Sequence, residues 1–93
     1  MMSNRTYTVL VIDDDAPVRR AIARMMTGQG YVVYEANSGL EGLVIAATQR
    51  VDLVLLDFEM PGLTGLDVLK TLRETHSKLG LPIILVTGRT DNE

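Results

Sequence analysis

Four carboxylates and one hydroxyl fall where short apolar runs end. Asp13, Asp14 and Asp15 follow residues 8–12 (TVLVI), Asp57 follows residues 53–56 (LVLL), and Thr87 follows residues 82–86 (PIILV). Carboxylates crowded together repel one another, and a hard divalent cation with oxygen ligands relieves that repulsion. Mg²⁺ suits such a set, because it takes one or two carboxylates, keeps some waters and completes its shell with a phosphate oxygen. A carboxylate beside the ion can attack phosphorus and form an aspartyl phosphate. In such a transfer the protein mostly aligns the groups and stabilises charge on the equatorial oxygens, and Thr87 offers a hydroxyl donor for one of them. Plainer readings stand beside these: Asp15 suits the N-cap of a following helix, and Thr87 suits a turn.

For these residues to meet, three strands must deliver them to one rim. The runs at 8–12, 53–56 and 82–86 lack polar alternation, as strands buried on both faces of a parallel sheet do. A fourth run, 31–35 (YVVYE), is more mixed and suits a strand near an edge. Helical spacing fills the intervals. Val18, Ile22 and Met25 or Met26 recur behind Asp15 and Pro17, with Gly28 and Gly30 at the far end. Ser38 and Glu41 form a capping box ahead of Leu40, Leu43, Val44 and Ala47, and Thr64 with Asp67 opens a third helix carrying Leu66, Leu69 and Leu72. Strand and helix in alternation predict an α/β, doubly wound parallel sheet with right-handed crossovers. Ligands in such sheets bind beyond the carboxyl ends of the strands, where the strand order reverses.

Composition narrows the classes further. At 93 residues the chain is one domain at most, and 46% hydrophobic with 23% charged residues is an ordinary globular mixture. A net charge of −3 argues against direct nucleic-acid binding, and Arg19, Arg20 and Arg24 read as a solvated helix face. There is no cysteine for disulfides or thiolate metal sites. No run reaches the roughly 18 apolar residues of a membrane span, and residues 1–5 are too short and polar for a signal peptide, so a cytoplasmic protein is expected. His76 sits in a polar stretch and reads as exposed, while Met25 and Met26 read as core packing.

Two strings carry a resemblance. Val9-Leu10-Val11-Ile12-Asp13-Asp14-Asp15 with Val18 and Arg19, and Leu53-Val54-Leu55-Leu56-Asp57-Phe58-Glu59-Met60-Pro61-Gly62 with Gly65, look like the receiver domains of bacterial response regulators. Residues 81–88 (LPIILVTG) are similar to that family's fourth strand and its hydroxyl residue, so the likeness spans essentially all of 1–93 as one receiver domain. The resemblance implies a flavodoxin-like fold and a phosphoacceptor module that takes a phosphoryl group from a histidine kinase or phosphotransfer protein to switch an output. It implies Asp57 as acceptor, Mg²⁺ held by Asp13, Asp14, Asp57 and the Glu59 backbone carbonyl, Thr87 as the phosphoryl contact that shifts, and Gly88 as the residue that leaves room. Glu59 and Arg89 occupy variable places, where they could modulate the lifetime of the acyl phosphate. On this reading the chain is a signalling domain rather than an enzyme, capable at most of self-catalysed phosphotransfer and dephosphorylation.

The chain departs from the family at its end. Receivers continue through a fourth helix, a fifth strand and a fifth helix, whereas Thr90-Asp91-Asn92-Glu93 is a capping box that starts a helix and stops. Only (βα)₃β is expected here, without the lysine and the switch aromatic of the last strand, and the fourth strand would be an apolar edge open to pairing with a second copy. Two alternatives remain. A receiver fold that no longer takes phosphate would be a pure interaction or dimerisation module. A haloacid dehalogenase-type phosphatase would use Asp13 and Asp15 as D-x-D, although Pro17 and the Met60-Pro61-Gly62 string have no place in that pattern.

Overall fold

The computed structural model describes residues 5–75 and 80–86. Along the chain run β1 (Thr8–Ile12), α1 (Ala16–Gly28), β2 (Val32–Ala36), α2 (Gly39–Thr48), β3 (Leu53–Asp57), α3 (Gly65–Thr75) and β4 (Ile83–Val86). The four strands form one sheet in the order β2-β1-β3-β4, every pair parallel. This is the expected alternation, and the mixed run lies at an edge as β2. Among the described strands β4 forms the other edge, with Ile84 and Leu85 exposed. His76 and the helix start at Thr90 to Glu93 lie outside the described residues.

The first crossover carries the chain from β1 outward to β2, and the next two carry it back past β1 to β3 and β4. Right-handed crossovers running in opposite directions put their helices on opposite faces. One face accordingly packs Leu10, Ile12, Val54 and Leu56 against Ala46 of α2 and Val68 and Leu72 of α3. The alternate residues of β1, Val9 and Val11, are just as buried, so β1 is apolar on both sides.

The helix starts follow the sequence signals. Asp15 caps α1 by accepting from the Val18 N–H, 3.2 Å, and Pro17 sits in the first turn, where no backbone N–H is needed. Ser38 Oγ accepts from the Glu41 N–H at 3.1 Å, and the Glu41 carboxylate reaches back to the Asn37 N–H at 2.7 Å. Thr64 and Asp67 exchange equivalent bonds at the start of α3.

Two helix faces differ from expectation. In α2 the buried residues are Gly39, Gly42 and Ala46, while Leu40 and Val44 are 66% and 55% exposed. The helix lies so close to β1 that a Cβ on Gly42 would collide with the Ile12 side chain, which leaves the contact face to small residues. In α3, Val68 and Leu72 are buried and Leu66 is exposed. Met25 is likewise 61% exposed rather than core, and Met26 is only half-buried. Arg19, expected on a solvated face with Arg20 and Arg24, is buried.

Candidate functional site

The reversal of strand order falls between β1 and β3, and both strands end there in a carboxylate. Asp13 follows β1 directly. Its N–H donates to the Ala36 carbonyl of β2 at 3.0 Å, so the sheet pairing runs one residue past the strand. Its carbonyl accepts from Arg19 Nη1 at 3.0 Å, and its Oδ1 accepts from the Asp15 N–H at 2.9 Å. Asp14, next in the chain, is exposed at the rim.

Asp57 is the last residue of β3 and pairs in register with Val86 of β4. The string from Met60 to Gly65 shapes the loop after it. The Phe58 N–H still donates to the Val86 carbonyl at 3.0 Å, then Met60 turns inward and is buried. Gly62 has a φ of +72°, a left-handed conformation that glycine adopts without penalty. The chain then folds back so tightly that a Cβ on Gly65 would lie 2.6 Å from Phe58 Cα and 2.7 Å from the Asp57 carbonyl oxygen. The Gly65 N–H donates to the Phe58 carbonyl at 3.2 Å and closes the loop. This loop aims the Glu59 N–H at Asp57 Oδ1, 3.1 Å away, and orients the Asp57 carboxylate.

Carboxylate oxygens of Asp13, Asp14 and Asp57 all lie within 4.8 Å of one another. Burial pushes the Asp57 carboxyl up from 3.8 to about 6, opposed by the Glu59 N–H and reinforced by the charges of Asp13 and Asp14. An accumulation of negative charge of this kind calls for a cation. Oxygens around Mg²⁺ sit about 3–4 Å apart, so this donor set fits the ion with small side-chain rotations, and its all-oxygen chemistry suits a hard cation. Asp15 spends its carboxylate on the helix cap, which removes the second member of the D-x-D reading.

The model of the response regulator receiver domain matches residues 9–93. The chain belongs to the response regulator receiver domain family. Relatives include the transcriptional regulatory protein AfsQ1 of Streptomyces coelicolor, 41% identical over 91% of this chain and 36% of its own length. The receiver is also 41% identical, over 92% of its length, to a part of the autoinducer sensor kinase/phosphatase CqsS of Vibrio cholerae that makes up 13% of that protein. Among solved structures, the response regulator TrrA of Thermotoga maritima in complex with Mg²⁺ and BeF superposes with a TM-score of 0.85 at 33% identity, covering 91% of this chain and 72% of that one. The receiver thus spans about a third or less of the length of these curated relatives. It is a signalling domain of two-component systems, a family whose standard function is to accept phosphate, typically with Mg²⁺. No helix among the described residues is long and apolar enough to cross a membrane.

Of the site residues expected from the sequence, the receiver brings together Asp13, Asp14 and Asp57, with Glu59 bonded to Asp57 through its backbone N–H. Thr87, Gly88 and Arg89 lie outside the described residues. Arg19 was not anticipated as part of this region. A signal for it existed: a cation in the opening turns of a helix faces the positive end of the macrodipole, and an acidic residue, Glu35, ends the neighbouring strand's run.

Proposed function

We propose that Asp57 is the phosphoacceptor of a two-component response regulator, and that Asp13, Asp14, Asp57 and the Glu59 backbone carbonyl hold Mg²⁺. One observation carries this reading: three carboxylates from the ends of the two central strands converge at the point where the strand order reverses. When bound, Mg²⁺ offsets the charge of the incoming phosphoryl group.

Asp57 performs the chemistry. One oxygen of its carboxylate attacks the phosphorus of a phosphohistidine on the kinase or phosphotransfer partner, the O–P bond forms as the N–P bond breaks, and the released imidazole takes up a proton. The Glu59 N–H holds the carboxylate for an in-line approach. Thr87, the residue after Val86 in sequence, donates its hydroxyl to a phosphoryl oxygen, and Gly88 leaves space for its approach. Glu59 and Arg89 set how long the acyl phosphate survives by screening or orienting the hydrolytic water, so Glu59→Ala and Arg89→Ala change the dephosphorylation rate. The module acts in the cytoplasm, with no catalysis beyond its own phosphorylation and dephosphorylation. The exposed apolar side chains of β4, Ile84 and Leu85, are where a second copy would pair.

Incubation with Mg²⁺ and acetyl phosphate, followed by intact-mass measurement, tests the assignment. Wild type gains one phosphoryl group, chelation of Mg²⁺ abolishes the gain, and Asp57→Asn does not gain it. Modification that persists in Asp57→Asn, or that maps to Asp13, refutes the assignment; no modification of the wild type points to a pure interaction module.

A further inference from the structure

A buried polar link outside the carboxylate cluster reaches into it from behind. Arg19, the fourth residue of α1, is 9% exposed. Its Nη1 donates to the Asp13 carbonyl at 3.0 Å and its Nε donates to Glu35 Oε1 at 2.9 Å, with Arg20 Nε more loosely placed at 3.7 Å from the same oxygen. We propose that Arg19, fixed by Glu35, is a positioning residue that holds the Asp13 carboxylate in place for the divalent cation. The inference rests on the reading of Asp13 as a metal ligand.

The geometry favours positioning over simple stability. The Arg19–Glu35 pair is only part-buried, with the Glu35 side chain 33% exposed, and such a pair contributes little net stability. This pair is spent on Asp13, the residue of the cluster that directly follows β1. Asp13 is held at its N–H by Ala36, at its carbonyl by Arg19 and at Oδ1 by Asp15. Arg19 binds the carbonyl rather than the carboxylate, so it places a positive charge near the cluster without using a ligand oxygen. Two donors at a fixed angle are required, one for α1's contact to β1 and one for β2. A guanidinium provides them, and a lysine ammonium on a flexible stem does not.

The test compares Mg²⁺ affinity with folding. In Arg19→Met/Glu35→Leu neither side chain of the ion pair is left without its partner, the Asp13 carbonyl loses its donor, and the fold is expected to keep a cooperative transition at somewhat lower stability than wild type. Mg²⁺ titration by calorimetry should show a Kd raised about tenfold, within the 10- to 100-fold range typical of groups that orient metal ligands. Arg19→Lys should weaken binding nearly as much, because it retains the charge and loses the fork. A Kd equal to wild type in a folded double variant overturns the inference, as does full affinity in Arg19→Lys. Should the double variant not fold, Glu35→Gln and the ¹⁵N signal of Arg19 Nε in wild type decide the matter: that signal should shift on Mg²⁺ titration, and its indifference to Mg²⁺ overturns the link. If wild type binds no Mg²⁺ while Asp13→Asn is equally inert, the reading of Asp13 as a ligand is what fails.

Discussion

Leu56 and Asp57 are consecutive on β3, both buried, and they belong to regions with opposite energetics. Leu56 lies in the packed interior between the sheet and helices α2 and α3, within the apolar core cluster, where burial is favourable. Asp57 is 8% exposed at the rim, where burial and two neighbouring carboxylates raise its carboxyl to about 6. One residue of chain separates a position selected for packing from one that destabilises the fold it sits in. The interior supplies the stability that lets the rim hold like charges together.

The largest expected effect breaks the interior. Leu56→Ala removes a fully buried side chain and should destabilise by about 2–5 kcal/mol, measured by chemical denaturation, without altering any carboxylate. A loss under about 1 kcal/mol would mean that the site of truncation collapses freely and that the interior is loosely packed. Next comes Gly65→Ala, at the junction of the two regions. Its Cβ would meet Phe58 Cα at 2.6 Å, and relieving the clash should cost about 1–3 kcal/mol. Because the loop through Phe58 and Glu59 orients the Asp57 carboxylate, the same substitution should also slow acetyl phosphate labelling.

Asp57→Asn should act in the opposite direction. The folded pKa of Asp57, about 6, exceeds its ordinary 3.8, so between these values the folded state binds more protons than the unfolded one. The metal-free protein is then most stable below about pH 4 with respect to this group and loses that stability as pH rises from about 4 through 6, above which the loss is complete. At about 1.4 kcal/mol per pKa unit, the loss is on the order of 1–3 kcal/mol. Asp57→Asn should recover it above about pH 7 while abolishing labelling, and Mg²⁺ should stabilise wild type there more than the variant. A variant less stable than wild type at that pH would show that the rim is not strained. The smallest effect is Leu40→Ala on the exposed side of α2, expected within about 0.5 kcal/mol. A large loss would restore Leu40 to the core.

Much of this was legible in the amino-acid order because it depends on local chemistry. Apolar runs, caps at Asp15, Ser38 and Thr64, and the spacing from Asp57 to Gly65 are set within a few residues. Helix faces were less legible. The α2 residues Leu40 and Val44 have the hydrophobicity of a core face, yet Gly39, Gly42 and Ala46 take it, since only the approach of Ile12 reveals that there is no room for larger side chains. Arg19 was only half legible: its place in the opening turns of α1 and the nearby Glu35 hint at a partner, but the Asp13 carbonyl at the end of β1 meets it only in the folded chain.

By itself the sequence determined the strand and helix order and the placing of carboxylates at the strand ends, because those follow from hydrophobic period and local chemistry. The meeting of Asp13, Asp14 and Asp57 was expected from the sequence, but only the tertiary structure decided that their oxygens lie within 4.8 Å, that burial there raises the Asp57 pKa, and that Arg19 ties Asp13 to its neighbours. Those properties arise from groups as distant in the chain as Asp13 and Asp57, adjacent only across parallel strands, where desolvation and charge depend on distance in space.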